Sequence, residues 1–375
     1  MRSGIEEIRK LRSGDGLIFD RKNSNPYCLT VCEGNGRKTA YCFSTPVYSR
    51  RTGRLLDRSF YPDGSLWRTE GSGVCITAGR KILLEEEGGS CGLLLPDELS
   101  AGSTEELWYG RARLAPTYNG LAFRVSCRAG EPYEIKLLCS RPFMNLRTND
   151  RSFALMADEF RPFAVLSCIG TLDERGRMTA PCTVGYEKLS DTAYLLTVRH
   201  ASPWGSQLLF EFNLHEPKLF QDTTVESRNP ALNNVFGAAA FLGNTEAYGE
   251  QRLYSRPDLT RLPALRDKFI EKIILRLPEY GGGGELAALS AASRFCSFGS
   301  SWNNRIPEAR EAALSWREGG FQNLDLTEFL TDGTGLLRQP EGLILKRRDS
   351  VGFTAVATGD SCLCPQILEV RFQAE

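Results

Sequence analysis

Hydrophobic and polar residues alternate with a period of two along most of this chain. In "LLFEFNLHE", Phe210, Phe212 and Leu214 fall on one face and Glu211, Asn213 and His215 on the other. That is the pattern of a strand with one buried and one wetted side. "AYLLTVRHA", "KIILRLP", "LILKRR" and "QILEVRF" read the same way, and in the second of these Ile273, Leu275 and Leu277 are expected to face the core. "FRVSC" and "YEIKLLC", joined by "RAGEP", predict a hairpin. Short strands separated by Gly, Pro, Asn and Asp predict an all-β fold built from sandwiches or barrels.

Helical periodicity is confined to three short stretches. "MRSGIEEIRKLRSGDG" predicts a short N-terminal helix, with Ser3 and Glu6 as a capping box and Gly14 at its end. "PEAREAALSWREGG" predicts one modest helix, and "DLTEFLTDG" a shorter one opened by Asp325 or Thr327 and closed near Gly333. "GGGG" at 281–284 predicts a loop, because four glycines do not hold a strand. Alternation resumes at once in "SRFCSF", so the loop lies within a domain.

At 375 residues the chain exceeds one ordinary core. "HEPKLFQ" at 215–221 marks the best boundary. It divides a β-rich N-terminal region, 1–216, with a second division near 140, from a C-terminal part, 217–375.

Charge narrows the partners. Lys+Arg and Asp+Glu both count 46, and a net charge near zero gives no electrostatic reason to expect nucleic acid, which demands clustered positive charge. No run approaches the ~18 apolar residues of a membrane-spanning helix. The first residues are charged throughout and carry no secretory signal. Twelve cysteines are present. Many sit in apolar alternating runs, as Cys127 and Cys139 do, which predicts reduced thiols acting as small core residues. That cysteine usage favours the cytoplasm.

Candidate chemistry is sparse. The two histidines, His200 and His215, lie in or beside alternating strands and read as strand-face residues. Cys28-x3-Cys32 and Cys362-x-Cys364 are the close cysteine pairs, and neither has the C-x2-C spacing of a zinc knuckle. No nucleophile stands next to a base. Sugar-binding sites use exposed aromatic rings flanked by hydrogen-bonding side chains. Trp316 in "LSWREGGFQN", with Arg317 and Gln322 nearby, and Tyr248 in "NTEAYGEQR" are the candidates. Trp302 is expected to be a core anchor.

From Asp222 to about residue 372 the chain resembles the DNRLRE family, bacterial jelly-roll β-sandwich modules. The resemblance rests on Asp222-Thr223, Asn229-Pro230, "NNVFG", "FLG" at 241–243, Arg252, "DLTRLP" at 258–263 and "IEKIILRL". It continues through Trp302-Asn303-Asn304 with Pro307, "LDLTEFL", "EGLILK" and "PQILEVRF". It implies a C-terminal jelly-roll sandwich. Family modules are usually exported, a departure from the leaderless start seen here. Some relatives are assigned as carbohydrate-binding modules for acidic polysaccharides such as alginate, so the resemblance implies a non-catalytic, glycan-binding role. Jelly-roll modules often hold a structural Ca²⁺ through turn carboxylates and carbonyls, which makes Asp222 and Asp258 the metal candidates. Two rival expectations stand beside this one: a structural component of a larger protein assembly, and a polysaccharide-active enzyme with its site in the N-terminal region.

Overall fold

The computed structural model describes residues 27–32, 37–45, 74–78, 81–86, 89–94, 107–109, 112–116, 120–139, 145–191, 193–200, 206–215 and 217–373. The expected N-terminal helix at 1–14 lies outside them. The fold is all-β. The chain divides into two compact units, one from the described residues within 1–60, 217–235 and 240–375, the other from those within 61–216 and 236–239.

The N-terminal unit has two main sheets. Among the described residues, one runs in the order Asn145–Thr148, Ser152–Met156, Pro162–Leu172, Ser206–Leu214, Gly120–Cys127, Ala112–Pro116 and Leu107–Tyr109. The other runs Cys182–Ser190, Ala193–His200, Tyr133–Cys139 and Val74–Ala78, with the last pair parallel. Their apolar faces share one core that includes Phe123, Ile135, Leu196 and Phe210. Phe123 and Phe210 are direct cross-strand partners and stack at 4.8 Å. Such aromatic cross-strand pairs add stability beyond their area.

The expected hairpin between "FRVSC" and "YEIKLLC" does not form. Gly120–Cys127 is paired on both edges, by Ser206–Leu214 and Ala112–Pro116. Tyr133–Cys139 is likewise paired on both edges in the other sheet. The "RAGEP" turn therefore arches from one sheet to the other, with Gly130 at φ 68°.

In the C-terminal unit the sheet closes on itself. From Ile270–Gly282 it passes through Phe321–Asp325, Glu308–Glu318, Leu286–Ala291, Leu343–Arg347, Gly249–Pro257, Ala239–Thr245 and Phe353–Ala357. The last strand pairs back onto the first. Phe220–Glu226 joins at Gly249–Pro257. Ile367–Gln373 extends the sheet from Ile270–Gly282, followed by Arg37–Phe43 and Cys28–Cys32. Thus two strands from the first 43 residues belong to this unit, across the boundary that composition suggested at 217. Ile273, Leu275 and Leu277 are fully buried in its core, as the alternation predicts. At the closure Gly282 has φ 81°, and a Cβ there would lie 2.2 Å from the Phe353 carbonyl oxygen. The glycine run thus serves the seam: strand continues to Gly282, and the loop shrinks to 283–285.

"PEAREAALSWREGG" is a strand, Glu308–Glu318, and not the expected helix. Its Ala, Glu and Arg favour helix intrinsically. Gly319 and Gly320, at φ 59° and 85°, turn the chain back so that Glu318 pairs with Phe321. Two positive-φ residues between paired strands make a tight hairpin turn whose twist matches the sheet. Pairing on both edges overrides propensity. "DLTEFLTDG" does form a helix, but only over Thr327–Leu330, with Asp325 Oδ1 accepting from the Thr327 N–H at 3.1 Å.

Candidate functional site

Three expected site residues lie on the hairpin of Glu308–Glu318 and Phe321–Asp325, and strand alternation separates them. Register sets two rows across the sheet. Arg317, Gln322 and Leu277 form one row, on the core side. Trp316, Asn323 and Arg276 form the next, on the opposite face. Successive side chains on a strand point to opposite faces, so Arg317 and Gln322 do not reach the edge of the Trp316 ring.

Arg317 and Gln322 instead converge on Glu279. Arg317 Nη2 lies 2.5 Å from Glu279 Oε1, and its Nε donates to Oε2 at 2.9 Å. Gln322 Nε2 donates to the same Oε2 at 2.9 Å and more weakly to the Gly284 carbonyl at 3.3 Å. Glu279 and Gln322 are buried, while the Arg317 side chain is 58% exposed. The group pins the hairpin to the seam strand, which is a structural task.

Trp316 is 39% exposed and Leu314, two residues earlier on the same face, 43%. Beside the ring, Asn323 is buried and donates weakly to the Trp316 carbonyl at 3.5 Å. Its Oδ1 accepts no hydrogen bond from the described residues. The next position in the row is Arg276, which grips Glu369 at 2.6 and 2.8 Å. Arg371 holds the other oxygen of Glu369 at 2.7 and 2.9 Å. Asn323, Arg276, Glu369 and Arg371 were missed in the sequence. Given the strand pairing, Asn323 and Arg276 are the positions opposite Trp316, while Glu369 and Arg371 lie two and four residues beyond Ile367, the partner of Arg276.

Tyr248 is not a surface ring. It is buried, with its ring against Phe241 at 6.2 Å in an edge-on arrangement. The turn at Gly249, φ 65°, brings it under the hairpin rather than out of it. Trp302, expected as a core anchor, is half-buried at the margin of the cluster of Val225, Tyr254, Phe295 and Ile344. Arg305 and Arg252 stand over its ring at 4.6 and 5.2 Å.

The two metal candidates have separate partners. Asp258 caps a 3-10 turn, accepting from the Thr260 hydroxyl at 2.5 Å and from Arg261 at 3.1 Å. Asp222 is buried, accepts the Gly359 N–H and hydrogen-bonds with Asp360. Burial pushes both carboxyl pKa values up, that of Asp360 to about 6. Lys218 acts on both carboxyls and donates to Cys362 Sγ at 3.0 Å. The Gly359 N–H already donates to Asp222 and the Lys218 charge lies near both carboxyls, whereas Ca²⁺ takes roughly six to eight oxygen ligands. These residues do not fit the calcium site that the resemblance implies. Among the described residues no group of three or more His, Cys, Asp or Glu side chains is arranged to hold a metal.

The histidines add one pair. His200 Nδ1 and Ser206 Oγ are 3.0 Å apart, while His200 Nε2 is buried and unpartnered among the described residues. His215 packs edge-on against Phe236. No helix of the described residues is long and apolar enough to cross a membrane.

Comparison with protein-family models finds no match to this chain, and comparison with curated proteins finds none either.

Proposed function

We propose that the C-terminal unit is a non-catalytic binding module that takes an acidic polysaccharide on the sheet face carrying Trp316. One observation carries the reading: a tryptophan stands 39% exposed on the face turned away from the core. Sugar faces present C–H groups that stack on such rings. Asn323 lies beneath the ring, fully buried, and supports it from the sheet rather than reaching a ligand. On the same face Arg276 and Arg371 share the carboxylate of Glu369, with the Arg371 side chain 47% exposed. The sequence resemblance to the DNRLRE family points the same way. A glycan array probed with the purified chain tests it: binding concentrated on uronic-acid polymers supports the reading, and an empty array rejects it.

A second reading rests on Leu314. It shares the exposed face with Trp316, and paired exposed apolar side chains also suit a protein partner in a larger assembly. Loss of glycan binding in Trp316→Ala with full binding in Leu314→Ser favours the glycan. A wild type that binds no glycan while the chain forms a discrete complex in which both residues are protected favours assembly.

A further inference from the structure

We propose that Cys28 and Cys42 are a disulfide-forming pair, a reversible covalent clasp between strands Cys28–Cys32 and Arg37–Phe43. The two residues are direct cross-strand partners. Phe43 N donates to the Tyr27 carbonyl at 2.8 Å, which makes 27 and 43 a hydrogen-bonded pair. Hydrogen-bonded and non-hydrogen-bonded pairs alternate along an antiparallel ladder, so Cys28 and Cys42 occupy a non-hydrogen-bonded position. There the backbones approach to about 4.5 Å between Cα atoms, inside the roughly 4.4–6.8 Å that a disulfide spans. The sulfurs already stand 3.1 Å apart. A bond of about 2.05 Å needs them to approach by about 1 Å.

The two thiols differ in access. Cys28 is half-buried and within reach of a small reagent, while Cys42 is buried in the core. Burial and the neighbouring thiol raise the pKa of Cys42. With a low-molecular-weight disulfide RSSR as oxidant, the Cys28 thiolate attacks one sulfur and expels RS⁻. The Cys42 sulfur then attacks the Cys28 sulfur of this mixed disulfide, expels the second RS⁻ and gives up its proton. Two protein thiols and RSSR thus become one protein disulfide and two RSH. Two other sites supply contrasts. Cys168 hydrogen-bonds with Cys182, but both are buried, and Cys296 is exposed.

The clasp would act on the sheet. Arg37–Phe43 is anchored along its other edge by Ile367–Gln373, and Cys28–Cys32 is paired to Arg37–Phe43. Oxidation ties strand Cys28–Cys32 covalently to its neighbour, and reduction leaves it held by non-covalent contacts, among them the ladder hydrogen bonds and the packing of Tyr27 and Cys28.

The test uses the full chain, reduced and then incubated with oxidised glutathione. Free thiols are blocked with iodoacetamide before tryptic mass spectrometry. Trypsin cleaves at Arg37 and Lys38 between the two cysteines, so a Cys28–Cys42 disulfide appears as two joined peptides lighter by two hydrogens. Cys32 shares the Cys28 peptide, and fragmentation assigns the linked sulfur. The expected result is that joined species, reversed by dithiothreitol, with a higher melting temperature in the oxidised protein. Without a resolving thiol, Cys42→Ser should retain one glutathione on Cys28. The idea is overturned if Cys28 and Cys42 are both alkylated while exposed Cys296 carries glutathione, or if wild-type Cys28 holds glutathione as stably as the variant does.

Discussion

Arg317 and Glu279 form a two-armed ion pair, with nitrogen-to-oxygen distances of 2.5 and 2.9 Å. The contact commits Arg317 to the core side of the hairpin and leaves its sequence neighbour, Trp316, on the opposite face. Bidentate guanidinium–carboxylate pairs fix geometry as well as contributing energy. Glu279 is nearly buried, whereas most of Arg317 is in solvent, so water weakens the pair. We therefore expect Arg317→Ala to cost about 1–2 kcal/mol, below the loss for a fully enclosed pair. Polysaccharide binding should persist. Urea unfolding with a binding isotherm on the same sample checks both, and lost binding at unchanged stability would return Arg317 to the site.

Gly282 sets the seam where the sheet closes. Its φ of 81° and the Phe353 carbonyl oxygen, 2.2 Å from any added Cβ, leave no room for a side chain. Gly282→Ala should destabilise the protein by more than about 1 kcal/mol, the opposite of what alanine does at a permissive glycine. A rise in melting temperature for this variant would show that the closure is not held there.

The Asp222–Asp360 pair gives a pH signature. Asp360 has its pKa raised from 3.8 to about 6, chiefly by burial, and that of Asp222 is raised too. A carboxyl with a raised pKa in the folded state favours folding in its protonated form. Its contribution is present below pH 3.8 and is lost as pH rises through about 6. Asp360→Asn mimics the protonated form. Relative to wild type it should gain stability as pH rises from 4 through 6 and plateau above. Parallel stability curves for the two proteins across that window would show that Asp360 does not titrate as described.

Much of the strand content was legible because period-two alternation is a direct image of the two faces of a sheet. Ile273, Leu275 and Leu277 could be assigned to the core from spacing alone. What spacing does not encode is which strand lies beside which. "FRVSC" and "YEIKLLC" looked like a hairpin because they are adjacent in sequence, yet each is saturated by other partners. Glu308–Glu318 looked helical because Ala, Glu and Arg propensities dominate a short window. The Gly319-Gly320 turn ahead of "FQNLD" was the readable signal that it turns back as a hairpin. The candidate site failed in part for a related reason. Trp316, Arg317 and Gln322 were grouped by proximity along the chain, whereas a strand sends neighbours to opposite faces. Only the register brings Asn323 and Arg276 beside the ring.

The two tryptophans should separate by thermodynamics. Trp302 is partly enclosed and lies between two guanidinium groups, so Trp302→Ala should cost about 2–3 kcal/mol, less than the 3–5 kcal/mol of a fully enclosed ring. Trp316→Ala should cost less, about 1 kcal/mol, because 39% of the residue is already in solvent. Thermal melts of both variants decide whether Trp316 has the lesser packing role.

The proposed binding of an acidic polysaccharide on the Trp316 face is open to one direct test. Titration calorimetry of alginate into the wild type and into Trp316→Ala, each shown folded by its melt, addresses it directly. Saturable binding by the wild type is expected, weakened with rising salt because the half-exposed Arg371 contributes charge, with loss of at least tenfold in affinity in the variant. Equal affinity in the two proteins, or no heat of binding to the wild type, would contradict it.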